Sequence, residues 1–328
     1  MKLIPGDKQE AVRAALHATF GVPHFDDISR LTGGLSSALL FRIAVKGKSY
    51  VLRIITRTDA LNDPTRQFEC MTRGAEAGIA PAIRYLSIPD RISITDYLET
   101  QAFPAAEARS ALPILLRRLH ALPGPAREIH SVDTANLYLR KYLDAAVLPA
   151  EFTAGPFTAY EQVSRAYPRM ASDMVLSHND LKPENILYDG RQPWLIDWEA
   201  AFVNDRFSDL SIIANFTEER EEQEAAYLAA YFGREPTPVE RARLYLMQQV
   251  MHISYFTVFM VVLAGRGYPM DLERVEVPDY RSFNNRMWDW QIDLADDRVK
   301  FQYALTHLAE FRRNMELPRF REAIRLVS

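Results

Sequence analysis

The chain has 328 residues, 48% of them hydrophobic and 25% charged, with a formal net charge of -4 at pH 7. That composition excludes long disorder, and its slight acidity lacks the cationic footprint of a nucleic-acid binder, so no nucleic-acid partner is expected. The one cysteine, Cys70, excludes an intrachain disulfide, and Pro5, Gly6 and Asp7 precede any apolar run, which predicts a cytoplasmic chain without a signal peptide or membrane partner.

A chain of this length is expected to fold as two lobes rather than around one core. Ile28–Leu31, Leu39–Val45 and Ser49–Ile55 are aliphatic or β-branched runs broken by Gly33-Gly34 and by Lys46-Gly47-Lys48, which predicts an antiparallel meander. A helix is expected from about Pro64 to Ala77, with Asp63 as its cap and Gly78 closing it. Two further strands flank Pro89-Asp90, the second over Ile92–Leu98. From about Ala105 the apolar period becomes helical, with Leu112, Leu115, Leu116 and Leu119 on one stripe. The expected fold class is therefore α+β, with a small antiparallel lobe over residues 1–98 and a larger helical lobe over 99–328. Val250–Leu263, the most apolar run, is too short for a bilayer and reads as a buried helix with His252 as a core histidine.

The chemistry concentrates in LSHNDLKPENILYDGRQPWLIDWE, residues 176–199. Asn185–Tyr188 and Trp194–Asp197 are short strand-like runs around the turn signal Asp189-Gly190. A register symmetric about Arg191 would set Asn185 opposite Asp197, a carbonyl oxygen beside a carboxylate, which suits Mg²⁺ with phosphate oxygens completing its shell. Asp180, five residues before Asn185, supplies either a third oxygen ligand or a base. An Asx-rich capped loop beside an ordinary hairpin is the bland alternative.

Here the sequence resembles the kinase catalytic loop H-R-D-L-x-x-x-N followed by D-F-G: it reads His178-Asn179-Asp180-Leu181, then Asn185, then Asp197-Trp198-Glu199. Asn179 stands where protein kinases carry Arg, Glu199 replaces the final Gly, and no A-P-E follows. These departures disfavour a protein kinase and resemble the aminoglycoside phosphotransferase and choline kinase superfamily. The resemblance implies a two-lobed protein-kinase-like fold, ATP and Mg²⁺ as cofactors, Asp180 as catalytic base beside His178, and Asn185 and Asp197 as metal ligands. Glu199 would lie near the substrate or support the metal ligands.

Upstream, Gly33, Gly34, Ser36 and Ser37 lie between two predicted strands, where kinases carry their phosphate cover; glycines let backbone N–H groups approach phosphates and the hydroxyls can donate. Paired glycines are equally at home in a plain turn. Arg53, in Tyr50-Val51-Leu52-Arg53, aligns with the lysine of V-A-I-K, and its expected partner is Glu69, with Glu76 as a weaker candidate. Ile94–Leu98 resembles the hinge strand that receives adenine, which places Asp96 and Leu98 at the nucleotide. Asn204-Asp205-Arg206-Phe207-Ser208-Asp209-Leu210 resembles the superfamily's N-D-x-x-x-D-L run; Asp209 would bond the catalytic-loop backbone or cap the next helix.

For the acceptor, the combination of motifs is closest to choline or ethanolamine kinases, which predicts a small-molecule hydroxyl substrate. Thiamine, aminoglycoside, homoserine and sugar kinases are the alternatives within the class, and a nucleotide-binding pseudokinase without turnover is the alternative outside it. Tyr245, Tyr255, Phe256, Phe259, Trp288 and Trp290 could offer aromatic faces to a quaternary ammonium, though helical spacing also makes them core. The acidic run Glu218–Glu224 could draw a cation or be a solvated first helical turn.

Overall fold

A computed structural model describes residues 1–31, 38–57, 64–218 and 220–328. Gly33, Gly34, Ser36, Ser37 and the Asp63 cap lie outside the described residues. The chain divides into two compact units, Met1–Phe103 with Glu184–Ala201, and Pro104–Pro183 with Phe202–Ser328.

The first unit is built on a five-stranded antiparallel sheet of β1 Asp27–Arg30, β2 Ala38–Val45, β3 Lys48–Ile55, β4 Ile83–Ser87 and β5 Ile92–Asp96, in the order β1-β2-β3-β5-β4. Between β2 and β3, Lys46 and Gly47 both have positive φ (52° and 73°), as a two-residue turn matched to strand twist demands. Side chains alternate along each strand. Phe41, Ile43, Val45, Leu52 and Ile54 form one apolar cluster with Val12, Ala15 and Leu16 of α1 Gln9–Phe20. Each fully buried aliphatic side chain there contributes about 1.5–3 kcal/mol. Arg53, between Leu52 and Ile54, takes the other face.

α2 Pro64–Glu76 buries Arg66, Gln67, Phe68, Cys70 and Gly74. Gly74 is required by close approach: a Cβ there would lie 2.5 Å from the Trp198 ring. The hairpin of β7 Ile186–Tyr188 and β8 Pro193–Leu195 belongs to this unit, not to a helical half beginning at residue 99. Backbone bonds explain it: Leu195 N–H donates to the Ile79 carbonyl (2.8 Å) and Gln101 N–H to the Tyr188 carbonyl (2.8 Å). Phe103 also stacks on Tyr188 at 4.4 Å.

The second unit contains α3 Ala105–His120, α4 Ser131–Asp144, α5 Ala150–Ala166, α6 Arg206–Thr217, α7 Glu221–Phe232, α8 Pro238–Gly265, α9 Tyr280–Trp288, α10 Asp297–Met315 and α11 Pro318–Val327. α8 is its axis, packed by α4, α6, α10 and α11 and started by a capping box in which Thr237 and Glu240 satisfy each other's backbone N–H groups. The predicted Val250–Leu263 run is thus part of a 28-residue helix, long and apolar enough to cross a bilayer, with 72% of its most apolar window buried inside the fold. His252 is buried within it, its Nδ1 2.8 Å from His307 Nδ1, and burial lowers its pKa to about 4. β6 Met174–Ser177 pairs antiparallel with β9 Phe202–Asp205, Ser177 opposite Phe202 and Met174 opposite Asp205. That short ladder sets the loop after β6 beside the first turn of α6.

Candidate active-site loops

In the helical unit the loop after β6 is anchored by one carboxylate. Asp209, fully buried, accepts the His178 and Asn179 backbone N–H groups, each at 2.8 Å. His120 Nε2 lies 3.2 Å from the same carboxylate, and its Nδ1 is 2.7 Å from the Tyr231 hydroxyl. Hydrogen bonds to a charged group contribute about 1.5–3 kcal/mol each, so these donors compensate an otherwise costly buried charge. The helix-capping alternative falls to Asp205, which accepts the Phe207 N–H at 2.9 Å.

Asn179 adopts a left-handed conformation (φ 63°), which Asn tolerates better than most residues. Its side-chain oxygen accepts from Asn204 Nδ2 at 2.7 Å, and Asn204 is itself tied to Ser131. His178 is buried under this arrangement. The bend aims Asp180 outward: its side chain is 31% exposed, and Lys182 Nζ lies 3.2 Å from its carboxylate. Lys182, two residues after Asp180 in the same motif, was not singled out from the sequence. Nor was His120, which lies 89 residues from Asp209 and carries no local signal.

In the β-rich unit the candidate loop, which carries Asp197, follows β8. Asn185 is buried and opposes Ile196, whose N–H donates to the Asn185 carbonyl at 3.1 Å. The register expected from symmetry about Arg191 is therefore shifted by one residue, and Asp197 lies one beyond Asn185's partner. Asp189 causes the shift. Its carboxylate accepts the Arg191 and Gln192 N–H groups (2.8 and 2.9 Å), closing a four-residue turn, so that Tyr188 pairs with Pro193.

Asp197 has φ 62°, unusual for a residue other than glycine and common where a backbone is bent for function. Arg53 holds it: Nη1 lies 2.8 Å from Asp197 Oδ1, and Nη2 3.3 Å from Glu199 Oε2. The expected partners Glu69 and Glu76 are a correction. Both are exposed on α2, and Glu69 pairs instead with Arg73, one turn on. Helical phase decides this, because Arg66, Cys70 and Gly74 at i, i+4 and i+8 take the buried stripe. Arg66 Nη1 donates to the Ala201 carbonyl (2.7 Å) and Nη2 to the Glu199 carbonyl (2.9 Å). No sequence signal marked it.

The strand expected to receive adenine is shorter than predicted, ending at Asp96 with Leu98 beyond it. The Asp96 N–H donates to the Ala82 carbonyl (2.9 Å), and its carboxylate is held by Arg84 Nε and Nη2 at 2.7 and 2.6 Å. Asp96 is therefore occupied within its own sheet. Among the described residues no three His, Cys, Asp or Glu side chains gather into a protein-only metal cage. The oxygen donors of Asn185 and Asp197 fit Mg²⁺, which takes one or two carboxylates and completes its shell with phosphates and water.

The aromatic and acidic candidates sort differently. Tyr245 and Phe256 are buried, Tyr245 donating to the Asn314 carbonyl, whereas Trp290 is 61% exposed. Phe259 lies 5.4 Å from Tyr303, and Trp288 6.4 Å from Phe216. Tyr255 packs against His307 at 4.8 Å; its hydroxyl pKa is raised by burial and, to a lesser degree, by the charge of Asp180. Among the described residues of the acidic run, Glu221 and Glu222 are solvated. Glu218 and Glu224 are buried, Glu224 bonded by Arg319 and by Gln248. Burial pushes the Glu218 carboxyl up to about 7.

Residues 27–245 match the model of a phosphotransferase enzyme family, APH. An aminoglycoside 3'-phosphotransferase of Escherichia coli is 31% identical over 133 residues, 38% of this chain and 48% of that protein, so the match spans about half the length of that relative. Among solved structures, a choline/ethanolamine kinase family protein from Mesorhizobium loti superposes with a TM-score of 0.63 at 20% identity, covering 98% of this chain and 99% of that one. A spectinomycin phosphotransferase in complex with ADP and spectinomycin superposes with a TM-score of 0.54 at 14% identity, covering 91% and 98%. The α+β architecture is thus that of kinase-like phosphotransferases.

Proposed function

The chain belongs to the phosphotransferase enzyme family, and on that premise we propose that it moves the γ-phosphoryl of ATP to the hydroxyl of a small amino alcohol of the choline or ethanolamine kind. The observation that carries the reaction is the pair of anchored loops, one presenting Asp180 half-exposed and the other presenting Asp197 on a left-handed bend beside Arg53. Phosphoryl transfer needs positioning and charge neutralisation more than covalent help. Asp180 takes the acceptor hydroxyl's proton on a carboxylate oxygen and orients that oxygen for attack. Lys182, beside it, limits the build-up of negative charge on that loop. Asn185 and Asp197 would hold Mg²⁺, which when bound would supply charge neutralisation to the phosphates. Arg53 keeps the Asp197 carboxylate in place, and backbone beyond Asp96, at Leu98, is left to meet the base.

The amino-alcohol reading is supported by the likeness in fold to a choline/ethanolamine kinase family protein over nearly the whole chain and by Tyr255, an aromatic side chain of the helical unit whose ring is of the kind that receives a cation. An aminoglycoside acceptor is the second reading, favoured by the partial 31% identity. ADP release measured with Mg²⁺ and ATP across choline, ethanolamine, thiamine, homoserine, sugars and aminoglycosides tests both. Turnover with choline or ethanolamine is expected. Turnover confined to aminoglycosides would replace the first reading, and none at all beside measurable nucleotide binding would favour a pseudokinase.

A further inference from the structure

The helix α2 reaches the Asp197 loop by a route that the Arg53 pair does not explain. Arg66 is 8% exposed, and both terminal nitrogens donate to backbone carbonyls, Nη1 to Ala201 at 2.7 Å and Nη2 to Glu199 at 2.9 Å. Two turns along the same face, Gly74 admits the Trp198 ring so closely that a Cβ would stand 2.5 Å from it. Trp198 is itself 3% exposed. The segment after Asp197 is therefore gripped by α2 at residues 198, 199 and 201. Asp197 (φ 62°, ψ 69°) is the bend that enters it.

We propose that Arg66 is a positioning residue for Asp197, fixing the carbonyls of Glu199 and Ala201 so that the left-handed bend, and with it the direction of the Asp197 carboxylate, is held for a divalent cation. The proposal rests on the reading of Asp197 as a metal ligand. A guanidinium suits the task because its planar fork spans two acceptors at once, whereas a lysine ammonium addresses them as a point charge. Division of labour follows. Arg53 orients the carboxylates of residues 197 and 199, and Arg66 sets the backbone from which they project. Groups that orient a metal ligand from behind it typically change metal affinity 10–100-fold when removed.

The test is Mn²⁺ binding, read by the loss of free-ion electron paramagnetic resonance signal, in the presence of ADP, for the full chain and for Arg66→Ala and Arg66→Lys. ADP affinity in EDTA is measured alongside. Arg66→Ala is expected to weaken Mn²⁺ by about 10-fold or more and Arg66→Lys by the lower end of that range, with metal-free ADP affinity unchanged. A structural defect alone would weaken ADP in EDTA as well. If Arg66→Ala does not fold, Arg66→Lys decides. Wild-type uptake of Mn²⁺ with an equal affinity in the folded variant would overturn the proposal alone, and a wild type that binds no Mn²⁺ with ADP would overturn the kinase reading with it.

Discussion

In the helical unit the loop bearing Asp180 hangs on an acid: Asp209 gathers two backbone N–H groups, one on each oxygen, while His120 meets the oxygen that also accepts from His178. In the β-rich unit the loop bearing Asp197 hangs on bases: Arg66 takes two backbone carbonyls and Arg53 two carboxylates. Both loops contain a non-glycine residue at positive φ, Asn179 and Asp197. Each needs outside help because a left-handed residue turns polar backbone groups away from the next strand or helix. Which sign of charge serves as anchor depends on which groups the bend leaves exposed, donors after β6 and acceptors after Asp197. An acid in the first anchor or a base in the second is also the cheapest way to place a buried charge, since the backbone dipoles compensate it.

Removing the chemistry while keeping both anchors gives the largest effect. Asp180→Asn keeps the loop's shape but loses the proton acceptor, and turnover should fall by about 10²-fold or more with nucleotide binding retained. Single-turnover rates beside ADP titrations check it; near-wild-type turnover would remove Asp180 from the role and leave the loop as a scaffold alone.

Breaking the acid anchor comes next. Asp209→Asn offers a single carbonyl oxygen to the His178 and Asn179 N–H groups, turns an amide N–H₂ toward one of them, and removes the charge. The expected loss is about 2–4 kcal/mol of stability, because a buried donor is left unmet, together with a fall in kcat. Thermal melting and steady-state kinetics on the same preparation test it. An unchanged melting temperature would mean that the His178–Asp180 segment is held by Asn204 and not by Asp209.

The two anchors also differ in how far they could be read from the chain. Asp209 lies 31 residues from His178, inside a motif whose spacing already pointed at the loop backbone. β6–β9 pairing carries that proximity, and strand pairing has a local sequence signature. Arg66 lies 135 residues from Ala201, and its role depends on the rotational phase of α2 against a loop from elsewhere in the sequence. Arg53 was identified on its strand but assigned to Glu69, because family alignment supplied a partner that helical phase then turned outward. Asn185 and Asp197 were legible as residues, yet their register slipped by one because Asp189 closes a turn one residue shorter than symmetry about Arg191 gives. The antiparallel pairing of the first three strands followed from aliphatic runs broken by turn signals, and the burial of Val250–Leu263 from its apolarity, whereas the place of β5 beside β3 and the hairpin's place in the first unit rested on bonds that no pattern announces.

What makes Asp209 an anchor is its set of donors, and a second buried acid in the same unit sharpens that point. Glu218 accepts the Thr217 hydroxyl at 2.9 Å; burial raises its pKa from the ordinary 4.5 to about 7, against the smaller opposing pull of Thr217, Arg109 and Arg281 and with a further push from Glu224. Between pH 4.5 and about 7 the folded chain thus holds more protons at this site than the unfolded chain, so Glu218 lowers stability as pH rises through that window and costs a constant amount above it. His252, whose pKa burial lowers to about 4, acts with the opposite sign, adding stability as pH rises from about 4 to 6.5. Comparison with Glu218→Gln cancels the His252 contribution. The variant should melt close to the wild type near pH 5 and above it at pH 8, the gap opening across pH 5–7. A gap that stayed constant with pH would mean that Glu218 is ionised at little cost in the fold, and that burial with one hydroxyl donor is enough to hold a carboxylate.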